Sequence, residues 1–320
     1  MTKIEIINNP SELGAGTRGS SLGFDALKVA GWNKENDLLN RYDTHTVEVN
    51  NAALYEADPT PHAHRIAGIT DVFRQTGELL KAIEERGNFP VIIGADHSVA
   101  AGTISGLKMI HPDQRIGVIW IDAHADLHTP YTTPSGNVHG MPLAIVLGED
   151  NLEERKNDPK EATMNEWSEI KNLWGISPKF RHEDLVFFGV RDTEAEEDAL
   201  IARKGIRNFT VDEVRSRSIS EAVNDACMRL GNCDLVYVSF DVDSMDPEIV
   251  SHGTGTPVDN GFTPQESAML IKLLIERLPV VCFEMVEINP TLDEKKNKMA
   301  EVSFEILEQT IEFIQQKISG

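Results

Sequence analysis

The sequence predicts an α/β fold of three layers, in which helices cover both faces of a central, mainly parallel sheet. Short apolar runs, many of them β-branched, alternate along the chain with longer stretches whose apolar spacing fits a helix. Each short run is apolar through its middle, which is typical of a strand buried on both faces. The five predicted strands are Phe89 to Gly94, Ile116 to Asp122, Leu185 to Gly189, Leu235 to Asp243 and Val280 to Ile288.

The predicted helices are Ala67 to Glu85, Ser220 to Leu230, Pro264 to Arg277 and Glu301 to Ile318. Residues 148–179 are highly charged and less regular, and we interpret them as an exposed excursion with a short helix at Thr163 to Leu173. No repeat, low-complexity tract or linker marks a boundary, so a single domain spanning residues 1–320 is the simplest organisation.

The composition argues against a membrane protein and against a secreted, disulfide-rich protein. The chain has 320 residues, of which 40% are hydrophobic, so it can bury a substantial core. No N-terminal segment resembles a signal peptide, and no apolar run approaches the roughly 20 residues that cross a bilayer. The three cysteines, Cys227, Cys233 and Cys282, lack the spacing of a disulfide framework or a thiolate metal site. We therefore expect a cytoplasmic protein.

The chain is strongly acidic, with 30 basic against 52 acidic residues and a net charge of −22. This charge repels nucleic acid and anionic membrane surfaces, so neither is expected as a partner. A cationic small molecule would be attracted, although an acidic surface that only keeps the protein soluble accounts for the same charge.

Polar residues stand at the ends of all five predicted strands. They are Asp96-His97, Asp122-Ala-His124-Ala-Asp126, Arg191-Asp192, Asp241-Val-Asp243, and Glu287 with Asn289-Pro290. Taken singly, such motifs are more often turns, helix caps or solvated pairs. In open α/β sheets, however, ligands bind beyond the carboxyl ends of the strands, so repetition at five ends predicts one shared site. In an extended chain, Asp122 and Asp126 would project to one side and His124 to the other, and a bend there would let all three reach a shared centre.

The residue types at these ends predict a metal centre with four carboxylates and two imidazoles, from His97, Asp122, His124, Asp126, Asp241 and Asp243. Oxygen and nitrogen ligands without sulfur suit manganese, with zinc, cobalt, iron or nickel open by ligand type, whereas imidazole seldom binds magnesium. Four carboxylates would leave one ion excessively anionic, so we expect two divalent ions bridged by aspartates. Such a pair activates water, and hydrolysis is the predicted reaction.

Several segments resemble the signature blocks of the arginase and agmatinase family, in the same order and separation. They are Gly94-Ala-Asp-His-Ser98, Asp122-Ala-His-Ala-Asp126, Ser135-Gly-Asn-Val-His139 and Ser239-Phe-Asp-Val-Asp-Ser-Met-Asp-Pro247, extended by Gly253-Thr-Gly-Thr-Pro257 and Glu287-Ile-Asn-Pro290. The first 60 residues match the family only loosely. The resemblance implies an α/β/α fold, two Mn²⁺ ions and frequently a trimer or hexamer, so we expect a homo-oligomer.

The resemblance also implies how the ligands are shared. His97, Asp122, Asp126 and Asp241 resemble ligands of one ion, and Asp122, His124, Asp241 and Asp243 resemble those of the other. Asp122 and Asp241 would therefore bridge the two ions. Asp126 would in addition accept a hydrogen bond from the attacking hydroxide and orient it.

Two further residues resemble the family's catalytic machinery. Glu287 resembles the glutamate that binds the guanidinium, a planar cation that needs a carboxylate facing its N–H fork. An end-of-strand salt bridge is the other interpretation. His139 resembles the histidine that shuttles protons at the mouth of the site, although the residue taken alone could be structural.

The loop Thr133-Pro-Ser-Gly-Asn137 resembles the arginase loop that binds an α-carboxylate through hydroxyl and amide donors. Thr133, Ser135 and Asn137 are therefore predicted to bind substrate, a simple turn being the other interpretation. The other predicted substrate-binding residues are His128, Glu194 and Glu197; His128 replaces the usual asparagine and Glu194 the usual aspartate of arginases. His62, His64, His111 and His252 are interpreted as surface or loop residues.

We predict hydrolysis of L-arginine, a small guanidinium substrate, to L-ornithine and urea. Agmatinases, whose substrate has no carboxylate, usually lack the Ser-Gly-Asn element, so the resemblance favours arginine. The nearest alternatives are an agmatinase, a guanidinobutyrase or a formimidoylglutamase. A two-metal phosphohydrolase is disfavoured by the absence of a P-loop and of clustered basic residues at the strand ends. A catalytically silent metal-binding or regulatory protein would not need the extra carboxylate of Glu287.

Overall fold

The computed structural model describes residues 2–319, and within them eight parallel strands form one sheet. The strands are β1 (Ile4–Asn9), β2 (Asp43–Thr46), β3 (Phe89–Gly94), β4 (Ile116–Ile121), β5 (Leu185–Phe188), β6 (Arg207–Phe209), β7 (Leu235–Asp241) and β8 (Val280–Val286). Across the sheet they lie in the order β2-β1-β3-β8-β7-β4-β5-β6.

The α-helices within the described residues pack on both faces of this sheet. They are α1 (Gly23–Asn33), α2 (Ile66–Glu85), α3 (Val99–Ile110), α4 (Pro142–Leu147), α5 (Glu161–Lys171), α6 (Ala195–Lys204), α7 (Val211–Arg217), α8 (Ile219–Arg229), α9 (Pro264–Arg277) and α10 (Lys298–Ser319). The predicted three-layer α/β/α class is confirmed, and every strand pairing is parallel. No helix in residues 2–319 is both long and apolar enough to span a membrane.

Strand β4 shows why the sequences of the central strands are nearly continuous apolar runs. Its residues alternate between two hydrophobic cores, Ile119 and Ile121 facing one and Val118 and Trp120 facing the other. Helices α1, α8, α9 and α10 close the first core, and α2, α3, α4 and α5 close the second. Because both faces are covered, a polar residue inside such a strand would be buried without water.

The prediction for β3 has the observed bounds, whereas the other four predicted strands end one or two residues too late. β4 ends at Ile121, β5 at Phe188, β7 at Asp241 and β8 at Val286, so most of the polar residues beyond them belong to loops. The prediction also missed β1, β2 and β6 and five helices. β2 and β6 are short edge strands with few apolar residues, and α3 is buried on nearly all sides and therefore lacks a polar face.

The charged segment at residues 148–179 was predicted to be an exposed excursion, but part of it is buried. Its helix α5 begins and ends two residues earlier than expected and buries Thr163, Trp167 and Ile170 against the core of α2 and α4. These residues are spaced by four and three positions, so they share one helix face while the charged residues occupy the other.

Candidate active site

Four neighbouring strands in the middle of the sheet supply the site. β3, β8, β7 and β4 lie side by side, and His97, Glu287, Asp241 and Asp122 stand at or just beyond their carboxyl ends. β3 and β4 follow each other in the chain but are separated in the sheet by β8 and β7. Residues from the middle and the end of the chain are thereby placed on one crevice.

Three carboxylates surround one ring nitrogen of His97. Its Nδ1 lies 2.9 Å from Asp122 Oδ2, 3.1 Å from Asp126 Oδ2 and 3.1 Å from Asp241 Oδ2. Its Nε2 lies 2.7 Å from the Ser239 hydroxyl. The ring is also stacked on Trp120, with 3.9 Å between the centroids. These contacts hold Nδ1 toward the carboxylates, as outer contacts of a metal-binding histidine commonly do.

A second cluster of the same kind surrounds His124. Its Nδ1 lies 3.0 Å from Asp243 Oδ2 and 3.5 Å from Asp122 Oδ1, and its Nε2 lies 3.7 Å from Asp192 Oδ2. The two oxygens of Asp122 thus face different clusters, Oδ2 the first and Oδ1 the second. This is the arrangement that a carboxylate bridging two ions requires.

The buried charges of these clusters fit divalent cations. His97 Nδ1 and Asp122 Oδ2 are buried and lie 2.9 Å apart, but neither makes a hydrogen bond of acceptable geometry to any described residue. Burial and repulsion from neighbouring aspartates raise the pKa of Asp126 to about 6 and also raise the pKa of Asp241 and Asp243. For Asp122, burial is outweighed by the imidazoles of His124 and His97, which hold its pKa well below the usual range. Cations between these ligands would satisfy the orphaned atoms and relieve the repulsion.

The backbone bends sharply at two of the predicted catalytic residues. Asp126 has a φ of 51° and Glu287 a φ of 69°, both in the left-handed region. Non-glycine residues rarely adopt this conformation, which costs of order 1–3 kcal/mol. The segment from Asp122 to Asp126 is therefore not extended, and the bend allows Asp126 to reach the same nitrogen as Asp122.

Glu287 and His139 face each other across the cleft. His139 Nδ1 lies 3.5 Å from Glu287 Oε1, which also accepts a hydrogen bond of 2.9 Å from the backbone N–H of His97. Burial lowers the pKa of His139, but the neighbouring Glu287 carboxylate outweighs it and raises that pKa to about 8. His139 can therefore hold or release a proton near neutrality.

All the predicted catalytic and substrate-binding residues line one cleft of about 130 Å³, together with the predicted metal ligands except Asp122, which lies buried among the ligands. A larger cavity of about 500 Å³ lies beside α2 and contains none of them.

Two hydroxyl side chains of the loop at residues 133–137, those of Thr133 and Ser135, line this cleft. Thr133 Oγ1 accepts hydrogen bonds from the N–H groups of Ser135 and Gly136, at 3.3 and 2.9 Å. Ser135 Oγ accepts one from the N–H of Asn137 at 3.2 Å. Because both hydroxyl oxygens act as acceptors within the loop, their O–H groups are free to donate to an anion in the cleft.

The other three predicted substrate-binding residues form a connected group. His128 Nε2 lies 2.9 Å from Glu194 Oε2 and 3.6 Å from Glu197 Oε2. Glu197 also accepts hydrogen bonds from the N–H groups of Leu127 and Glu194, the second of which closes a capping box at the start of α6. Glu197 therefore holds the wall of the cleft as well as lining it.

Some of the polar residues at the predicted strand ends lie outside the cleft, and one residue that lines the cleft was not predicted. Asp96 and Arg191 do not line the cleft: Asp96 accepts hydrogen bonds from the N–H groups of Gly14 and Ser98, and Arg191 donates to backbone carbonyls that include that of Asp243. Thr256 was missed as a cleft residue; its hydroxyl lies 3.2 Å from Asp243 Oδ2. Its segment, Gly253 to Pro257, carried the only sequence signal for it.

The chain is similar to one group of proteins along nearly its whole length. Residues 2–312 match the Arginase family. An arginase from Bacillus caldovelox is 32% identical over 311 residues, covering 96% of this chain and 97% of that protein. An arginase from Staphylococcus aureus strain MRSA252 is 33% identical over 316 residues, covering 96% and 97%. The native structure of the B. caldovelox arginase matches with a TM-score of 0.82 at 32% identity, covering 97% of this chain and 98% of that chain.

Proposed function

The chain belongs to the arginase family, and on that premise we propose that it hydrolyses L-arginine to L-ornithine and urea with two manganese ions. The observation that carries this proposal is the position of Asp122, whose two oxygens face two separate ligand clusters. A cleft that combines these clusters with Glu287 and with the hydroxyl-bearing loop at residues 133–137 supports a guanidinium substrate that also has a carboxylate.

The ligands that would hold the ions follow from the two clusters. His97, Asp122, Asp126 and Asp241 would hold one ion, and Asp122, His124, Asp241 and Asp243 the other. Two divalent ions, when bound, lower the pKa of a water toward neutrality and so supply a nucleophile. Imidazole and carboxylate ligands favour manganese over magnesium or calcium, so we propose Mn²⁺.

Three side chains would have separate roles in the reaction. Glu287 orients the guanidinium through its N–H groups, so that the central carbon faces the attacking water. Asp126 accepts a hydrogen bond from that water. As the C–O bond forms and the C–N bond to the ornithine nitrogen breaks, His139 returns a proton at Nδ1 to the leaving nitrogen. Both protons of the water end on that amine, which leaves as an ammonium, and urea is released neutral.

The α-amino acid end of arginine would lie toward the mouth of the cleft. Thr133, Ser135 and Asn137 would donate to its carboxylate, and Glu194 and Glu197 would face its ammonium group. His128 lies between these two glutamates and contacts both, with its Nε2 2.9 Å from Glu194 Oε2 and 3.6 Å from Glu197 Oε2. A cytoplasmic location, a single domain and a trimer or hexamer complete the proposal; these rest on the sequence and on the family resemblance.

An assay of product release tests the substrate assignment. Manganese-loaded protein is given arginine, agmatine or guanidinobutyrate, and urea is measured; formimidoylglutamate is tested by the release of glutamate. We expect arginine to be used best, because it alone among the guanidino substrates has both an α-amino and an α-carboxylate group. Preference for agmatine, guanidinobutyrate or formimidoylglutamate would move the protein to the corresponding alternative, and no turnover of any of them would favour a silent metal-binding protein.

The loop at residues 133–137, called the carboxylate-reading loop below, can be tested separately. Ser135→Ala and Asn137→Ala are each expected to lower kcat/KM for arginine by roughly 10- to 150-fold, because a hydrogen bond to a charged group is worth roughly 1.5–3 kcal/mol. Agmatine lacks the carboxylate and serves as the internal control, so any activity toward it should stay nearly unchanged. Equal losses on both substrates would show that the loop does not read the carboxylate.

A further inference from the structure

His64 connects the carboxylate-reading loop to the turn at residues 58–64. Its backbone N–H donates to the carbonyl of Gly136 at 2.8 Å, and its Nε2 lies 3.1 Å from the carbonyl of Ser135. The loop therefore accepts two hydrogen bonds on its back, from one residue that lies 71 positions earlier in the chain. The sequence placed His64 only among the loop histidines.

The other side of the His64 ring is held by a carboxylate. Its Nδ1 lies 2.5 Å from Asp58 Oδ2, and Asp58 Oδ1 accepts hydrogen bonds of 2.8 Å from both the N–H and the hydroxyl of Thr60. The Asp58 and His64 side chains are largely buried, with 13% and 26% exposed. Asp58 thus shapes the turn and fixes the ring at the same time.

Both partners of the ring are acceptors, a carboxylate and a carbonyl. A neutral imidazole has one N–H and can donate to only one of them, whereas the imidazolium donates to both. Asp58 and Ser135 therefore offer an acceptor to each ring nitrogen of His64, which joins the turn to the loop. The carbonyl side of the loop is held on His64, and the hydroxyl side is left facing the cleft.

The loop is also packed closely against the turn at Gly136. Gly136 has a φ of 80°, and a Cβ atom on it would lie 2.2 Å from the carbonyl oxygen of Pro61. Only glycine allows this close approach of two backbones. The loop and the turn are thus in direct contact at the point where His64 makes its two hydrogen bonds.

From this geometry we infer that His64 and Asp58 are positioning residues that hold the loop at residues 133–137 in the conformation that binds an α-carboxylate. The inference rests on the proposed function in that it takes this loop to be the carboxylate-binding element. It assigns part of the substrate specificity to residues that contact no substrate and lie outside the family's signature blocks.

Ligand binding tests this inference without depending on turnover. Manganese-loaded wild type and His64→Ala are titrated with ornithine, which has the α-carboxylate, and with putrescine, which lacks it. His64→Ala is expected to bind ornithine at least about 10-fold more weakly, because a displaced loop misaligns charge-assisted hydrogen bonds. Putrescine affinity, bound manganese and kcat for arginine should stay within about twofold, so that the loss appears in KM.

Three further variants separate positioning from general destabilisation. His64→Gln keeps a side-chain N–H for the Ser135 carbonyl and is expected to restore most of the ornithine affinity. Asp58→Asn keeps an oxygen for the Thr60 turn but removes the charge, and should weaken ornithine in the same direction as His64→Ala. His111→Ala is the matched control, since His111 pairs with Glu84 at 2.6 Å with similar burial and lies away from the cleft.

Unchanged ornithine affinity in His64→Ala, or equal losses of ornithine and putrescine, would overturn the inference. Wild type that releases no urea from arginine, combined with a selective loss of ornithine in His64→Ala, would reject the proposed function and leave the positioning role in place.

Discussion

Removal of the metal ions is expected to abolish activity, and Mn²⁺ should restore it better than Mg²⁺ or Ca²⁺. Four aspartates and two histidines converge with two ligand atoms unsatisfied, so without cations the site keeps its mutual repulsion and has nothing to activate water. The harder ions should compensate poorly, because imidazole is a weak ligand for them.

The same experiment has a readout that does not involve catalysis. Ions that bind only the folded protein stabilise it, by about 2.7 kcal/mol for each site at a free concentration 100 times Kd. Thermal unfolding of the chelated protein should therefore shift upward on addition of Mn²⁺, and metal analysis should give two ions per chain. Full activity in excess chelator, with no metal bound, would rule out the proposed chemistry.

Substitution of Glu287 by glutamine is expected to lower kcat/KM for arginine by roughly 10²- to 10⁴-fold, because two charge-assisted hydrogen bonds worth roughly 1.5–3 kcal/mol each are weakened. The amide oxygen can still accept the hydrogen bond from His97, so its NH₂ group would then face the cleft and oppose the guanidinium N–H groups. Glu287 belongs to neither ligand cluster, so the metal content should not change.

Kinetics with arginine and metal analysis of the purified variant check this expectation together. Glu5→Gln is a matched control, because Glu5 is as buried as Glu287, with 3% exposed, but is paired with Arg86 away from the cleft. It should lose stability and keep kcat/KM. A Glu287→Gln variant with wild-type kcat/KM would show that this carboxylate does not bind the guanidinium.

Local patterns predicted the central strands well and the edges of the sheet poorly. β3, β4, β7 and β8 are buried on both faces, so they are mostly apolar, with Ser239 and Glu284 as buried polar exceptions, and their polar ends stand out in the sequence. β2 at one edge, with the sequence DTHT, is mostly exposed and has no apolar pattern to detect. The buried stripe of α5 was obscured because its other face is crowded with charge.

Contacts between distant segments could not be predicted in the same way. Ser239 and Trp120 orient His97 through a hydrogen bond and ring stacking, and both look like ordinary residues within apolar strands. Asp96 is one of the polar residues at the strand ends, yet its carboxylate accepts hydrogen bonds from backbone N–H groups and does not line the cleft. Residue type and position at a strand end do not reveal which way a side chain turns.

The sequence by itself determined the fold class, the residue types that end the central strands, and the family. The tertiary structure decided that β8 and β7 lie between β3 and β4, which places Glu287 and Asp241 beside His97 and Asp122. It also decided the bends at Asp126 and Glu287 and the contact of His64 with Ser135. The physical reason is that local apolar periodicity depends on neighbouring residues, whereas strand order and backbone strain depend on which distant segments pair and pack.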